Sequence, residues 1–123
     1  MNERTMRAQM LLGSGAMDKL RAAHVAVFGL GGVGSWCAEG LARSGVGELT
    51  LIDQDTASRS NINRQLCALE STLDLPKAEV MAARARDINP DITVHTVVGC
   101  YTAAERERFF VDYDYVVDAI DLV

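Results

Sequence analysis

Two kinds of segment alternate along the chain. Apolar, branched runs cover 24–29, 48–53, 92–98 and 115–120, each the length of a buried strand. Between them the apolar positions recur every three to four residues. In the stretch opened by Pro76, for example, Met81, Ala85 and Ile88 share one face. That spacing predicts helices over 3–12, 16–22, 33–43, 61–69 and 76–88, with a last one ending near Phe110. Gly13-Ser14-Gly15 breaks the first, Ser60 caps the fourth, and Asn89-Pro90 stops the fifth. Thr102-Ala103-Ala104-Glu105 forms a capping box before the last. Trp36, Ala38, Leu41 and Ala42 are expected to face the sheet. Strands alternating with helices predict an α/β fold, a mostly parallel, doubly wound sheet in the order 3-2-1-4. Residues 1–22 form an N-terminal helical arm and 23–123 the sheet domain.

The first strand runs into Gly29-Leu30-Gly31-Gly32-Val33-Gly34, a G-x-G-x-x-G turn that opens a helix. The free N–H groups and positive dipole end of that helix suit a phosphate. Asp53 ends the second strand nineteen residues past Gly34, where a carboxylate reaches a ribose hydroxyl. Strand, glycine turn, helix and spaced acid together predict a Rossmann-like nucleotide site, without saying which nucleotide.

Charge narrows the partners. The 123 residues carry 12 Lys+Arg against 17 Asp+Glu, net −5, which gives no general attraction to nucleic acid or an anionic membrane. The N-terminus lacks the apolar core of a signal peptide, and no apolar run is long enough to span a bilayer, so a cytoplasmic protein is expected. Cys37, Cys67 and Cys100 show no C-x-x-C spacing and read as small buried groups. His24 and His95 sit in strands without a second ligand at metal spacing and read as structural histidines.

Further polar residues gather where the strand ends meet: Asp55, Asn61, Asn63, Arg64, Gln65, Lys77, Asp118 and Asp121. Lys77 opens a helix, where a cation opposes the dipole at a cost of ~0.3–1 kcal/mol. A polyphosphate reverses that sign; the bland alternative is a solvated lysine. Arg64 offers a planar fork for phosphate oxygens, its alternative being a surface ion pair with Glu70 or Asp55. Asp121 suits Mg²⁺, which takes one or two carboxylates plus substrate phosphates, or is an exposed strand-end acid. A nicotinamide dehydrogenase needs the glycines and Asp53 but not these cations. ATP with Mg²⁺ uses all of them to neutralise a departing pyrophosphate.

These residues carry a resemblance. Gly29–Ser35, Leu51-Ile52-Asp53-Gln54-Asp55, Asn61-Ile62-Asn63-Arg64-Gln65, Lys77 and Asp118–Asp121, with the Arg7…Gly13 arm, are similar to the ThiF/MoeB/HesA branch of the ubiquitin-activating enzymes. Segments 32–36, 61–65, 77–81 and 116–121 look most like the branch that cyclises threonylcarbamoyladenosine in tRNA. The resemblance implies adenylation of a carboxylate with ATP and Mg²⁺. Gly29, Gly31, Gly32, Gly34, Asp53, Asp55, Asn61, Arg64, Gln65 and Lys77 would bind the nucleotide. Asp53 would hold the ribose, and Asn61, Arg64 and Lys77 the phosphates. Asp121 would ligate Mg²⁺, and Arg7 would reach the partner subunit's site in a homodimer. Arg7, Arg64, Lys77 and Asp121 are thus the expected catalytic residues, with tRNA as substrate of the full-length protein.

Other readings stay open at this level. They are adenylation of a ubiquitin-like sulfur-carrier protein, an NAD-binding oxidoreductase, and a non-catalytic dimerisation module. The chain stops at Val123, just after the fourth strand, which predicts a fragment of a longer protein or a dimer covering that edge. The segment alone is expected not to turn over, and any basic surface for tRNA is expected outside it.

Overall fold

A computed structural model of the protein describes residues 2–99 and 112–120. A 3-10 turn at Glu3–Thr5 leads into α1 (Met6–Leu12), and Gly13 separates it from α2 (Ser14–Ala22). Then follow β1 (His24–Phe28), α3 (Gly34–Ser44), β2 (Glu48–Asp53), α4 (Lys77–Ile88), β3 (Thr93–Val98) and β4 (Tyr115–Asp118). The strands lie in the order β3-β2-β1-β4, every pair parallel, as expected. The capping box at 102–105 and its helix lie outside the described residues.

Side chains alternate across the sheet. Val25 and Val27 of β1, Leu49 and Leu51 of β2 and Val94 of β3 face the main core with Ala38 and Ala42 of α3 and Met81, Ala82 and Ala85 of α4. Glu39 of α3 and Arg84 of α4 form an ion pair that ties the two helices together. The opposite face carries a smaller cluster, Ala26, Phe28 and Ile52, with Val97, Tyr113 and Val116 against it.

Four local expectations are corrected. First, α2 starts at Ser14, not Ala16, because the Gly13 carbonyl already accepts from Met17 N–H (3.3 Å). Second, Trp36 does not pack on the sheet. It is 57% exposed, because two residues of a helix turn roughly 200° and Ala38 takes the inward position. Third, the helix expected over 61–69 is a single 3-10 turn, Arg59–Asn61, followed by turns. Ser58, not Ser60, closes that turn: its N–H and hydroxyl both donate to Asn61 Oδ1 (3.0 and 2.9 Å), a local alternative to a helical ladder. Fourth, Pro76 caps α4 instead of lying within its first turn, and pairs with Thr56 in an antiparallel bridge. Among the described residues no helix is long and apolar enough to cross a membrane.

Candidate nucleotide site

The glycine turn is set by two close backbone approaches. Gly29 has φ +91°, and a Cβ there would lie 2.6 Å from the Ala119 carbonyl oxygen. A Cβ on Gly34 would lie 1.7 Å from the Gly29 carbonyl oxygen. No residue with a side chain fits either position without moving backbone. Gly34 is accordingly buried and shapes the turn without lining the cleft, while Gly29, Gly31, Gly32 and Val33 lead α3 into it.

Asp53 fastens this turn to the end of β2. Its Oδ2 accepts from Leu30 N–H (2.7 Å) and its Oδ1 from Asp55 N–H (2.7 Å). A carboxylate has about four acceptor sites, so two hydrogen bonds leave capacity for a ligand hydroxyl. The segment bearing Asn61, Arg64 and Gln65 is docked on the start of α3. The Ser35 hydroxyl donates to the Gly31 carbonyl and accepts from Leu66 N–H (3.3 Å). The Trp36 indole N–H donates to the Arg64 carbonyl (3.2 Å). Ser35 and Trp36 were not expected to position the site; their place after Gly34 is the one sequence signal, and the contacts are set by tertiary structure.

Between these elements lies a cleft of about 780 Å³ at the carboxyl ends of the strands. That size suits a small-molecule ligand, and the place is where open α/β sheets bind one. Asp53, Asp55, Asn61, Arg64, Gln65 and Lys77 all line it, with Asp118 on the far wall. Arg64 lays its stem by Gly32, and its guanidinium donates to the Ser60 carbonyl (3.2 Å) and Asn63 Oδ1 (3.0 Å). The ion pair considered for Arg64 does not form, because Arg59 takes Glu70 instead (3.1 Å). Lys77 is only 6% exposed and is no solvated surface lysine; its backbone N–H donates to the Asp55 carbonyl (3.0 Å). Among the described residues neither Arg64 nor Lys77 has a carboxylate at ion-pair distance. Asp118 Oδ1 accepts from Ile120 N–H (3.2 Å).

Arg7 stands exposed on α1 and does not line this cleft, and Asp121 falls outside the described residues. Burial pushes the thiols of Cys37 and Cys67 up, Lys77 partly opposing this at Cys67. Cys67 donates weakly to the Leu30 carbonyl (3.6 Å) and is a buried packing group, as expected, whereas Cys37 is only half-buried. Cys100 is outside the described residues. Both histidines, His24 and His95, have hydrogen-bond partners, as expected of structural histidines, and they meet across the sheet at Glu48. Parallel register places them together, which spacing along the chain does not reveal.

The ThiF family model matches residues 3–123. The tRNA threonylcarbamoyladenosine dehydratase of Haemophilus influenzae is 49% identical over 110 residues, spanning 88% of this chain and 42% of that protein. Its Bacillus subtilis counterpart is 47% identical over 119 residues, 95% of this chain and 46% of that protein. The crystal structure of the Escherichia coli enzyme, TcdA, in complex with ATP superposes with a TM-score of 0.96 at 46% identity, over 98% of this chain and 50% of that one. The chain thus spans about half the length of the relatives it matches. With the glycine turn, the β2 acid and the two cations at one sheet edge, it belongs to the ThiF family.

Proposed function

We propose that this chain carries the nucleotide-binding half of an ATP-dependent enzyme that adenylates a carboxylate, the threonylcarbamoyl group on a tRNA adenosine. The observation that carries this reading is the convergence of Arg64 and a buried Lys77, neither paired with a carboxylate among the described residues, on the cleft that holds the glycine turn and Asp53. A desolvated cation is costly without an anionic partner, and a triphosphate supplies one. The likeness to a tRNA threonylcarbamoyladenosine dehydratase solved with ATP supports the choice of nucleotide and acceptor.

In this reading the substrate carboxylate attacks the α-phosphorus of ATP, forming an acyl–adenylate and releasing pyrophosphate. The open N–H groups at the start of α3 face the phosphates. Arg64 and Lys77 neutralise the charge that builds on the leaving pyrophosphate. Asp53 takes a ribose hydroxyl on its free lone pairs, with Asp55, Asn61 and Gln65 completing the polar wall. Cyclisation of the activated group then expels AMP. The exposed carboxylate of Asp118 gives this edge the oxygen donors Mg²⁺ prefers. Asp121, three residues on, would ligate the ion, which would screen the triphosphate charge. Arg7, exposed on α1, would act across a homodimer in the partner subunit's cleft. Cytoplasmic location is part of the same reading.

The test is ATP–pyrophosphate exchange and AMP release by the full-length protein given threonylcarbamoylated tRNA. Activity is expected, and Lys77→Ala should abolish it. Silence with both tRNA and a sulfur-carrier protein overturns the reading. Activity with the carrier alone moves the acceptor from RNA to protein.

A further inference from the structure

A second cluster lies at the other end of the sheet, on the face away from α3 and α4. His24 and Glu48 are the first residues of β1 and β2 and are register partners. His95 of β3 is the register partner of Thr50, and so stands diagonal to Glu48 on the same face. The three side chains converge: His95 Nε2 lies 2.6 Å and His24 Nδ1 3.7 Å from Glu48 Oε2. One donor atom from each residue lies within 4.8 Å of the others.

We propose that His24, Glu48 and His95 form a binding site for a divalent transition-metal ion, Zn²⁺ by preference. Two imidazoles and a carboxylate are a borderline donor set that suits Zn²⁺, while Mg²⁺ asks for oxygen ligands alone. Zinc bonds of about 2.0–2.2 Å in a tetrahedron place ligand atoms roughly 3.3–3.5 Å apart. The two histidine–Glu48 separations straddle that value, and the donor atoms of the two histidines lie within 4.8 Å of each other, so the imidazoles must close toward Glu48 to seat the ion.

The surroundings fit a ligand set. His24 Nε2 lies 2.7 Å from the Thr50 hydroxyl, a buried group that holds the ring with Nδ1 toward Glu48. Metal-binding histidines are oriented by such an outer partner. Tyr113 packs edge-on against the same ring, with centroids 4.8 Å apart. The Asp112 carbonyl, 3.1 Å from His24 Nδ1, accepts from that nitrogen when it carries the proton; a bound ion would displace this hydrogen bond and leave the proton on Nε2, toward Thr50. His95 is about half exposed and leaves the site open to solvent on one side. Because the ligands come from three adjacent strands, the ion would clamp the sheet's amino end, remote from the nucleotide cleft.

The experiment is thermal unfolding of the protein in ZnCl₂, compared with MgCl₂ at equal concentration. Zn²⁺ is expected to raise the melting temperature saturably, as a ligand of the folded state does, and Mg²⁺ to leave it unchanged. Glu48→Gln and His95→Gln should each weaken Zn²⁺ by more than the about 10–100-fold that loss of an outer-shell partner costs. In His95→Gln the new amide can still bond Glu48, so its metal-free melting should match the wild type. Co²⁺ should give visible tetrahedral absorption that Zn²⁺ displaces and both variants lack. No stabilisation by Zn²⁺ overturns the proposal, and so does an equal response in wild type and variants, which would place the ion on the thiols or elsewhere.

Discussion

The two ends of this one sheet treat charge in opposite ways. At the carboxyl end, Arg64 and Lys77 face a cleft without a carboxylate partner among the described residues, beside N–H groups at the start of a helix. At the amino end, two carboxylates of the described residues are met within the protein: Glu48 by two histidines, and Asp114 by the His24 backbone N–H (2.8 Å). On the two proposals, the first end receives an anion and the second holds a cation. Parallel strands produce this polarity, because every β-to-α turn falls at the same end and brings its helix N-terminus there.

The largest break in the comparison comes from filling the glycine turn. Gly34→Ala puts a methyl into the Gly29 carbonyl and should destabilise the protein by about 3 kcal/mol or more, measured by urea unfolding. Gly32→Ala meets only the flexible Arg64 stem, at 3.6 Å, and should cost far less stability while lowering nucleotide affinity. An equal loss of stability in both would mean that the turn is not held by backbone contact.

The anchor between turn and strand comes next. Asp53→Ala removes the acceptor of two backbone N–H groups and should cost about 1–3 kcal/mol. It should also weaken adenosine and ATP alike, since the proposed place of Asp53 is at the ribose and turn, not at the phosphates. Loss of ATP affinity alone in titration calorimetry would contradict that placement.

The smallest effect concerns neither end. Hydrogen bonding from Arg84, with its charge, holds the Glu39 carboxyl below the usual value, against the opposing effect of burial. A depressed carboxylate pKa contributes stability that is full above the unfolded value and is lost as pH falls through the folded one. Acid unfolding of the wild type should therefore steepen below the ordinary glutamate range, and Glu39→Gln should flatten that limb. An unchanged limb in the variant would show that the α3–α4 ion pair does not contribute.

How far the sequence led differs between the two ends. The glycine spacing, the acid at Asp53, the strand order and the gathering of Asn61, Arg64, Gln65 and Lys77 were legible, because they follow from local periodicity and the rule that ligands sit at carboxyl ends. The amino-end cluster was not, because His24 and His95 are 71 positions apart and meet only through strand register. Local competition hid other features. Asn61 reads as helix but bonds Ser58, and Trp36 reads as core but lies opposite the alanines that fill it. The docking of Arg64 by Ser35 and Trp36 joins segments about 30 residues apart, beyond the reach of any local pattern.

The central claim is that Arg64 and Lys77 meet a single triphosphate. Titration calorimetry of Arg64→Ala and Lys77→Ala with ATP and with adenosine tests it most directly. Each variant should lose about 10–100-fold in ATP affinity, the worth of a hydrogen bond to a charged group, and bind adenosine as the wild type does. Equal losses for both ligands, or none for ATP, would contradict it.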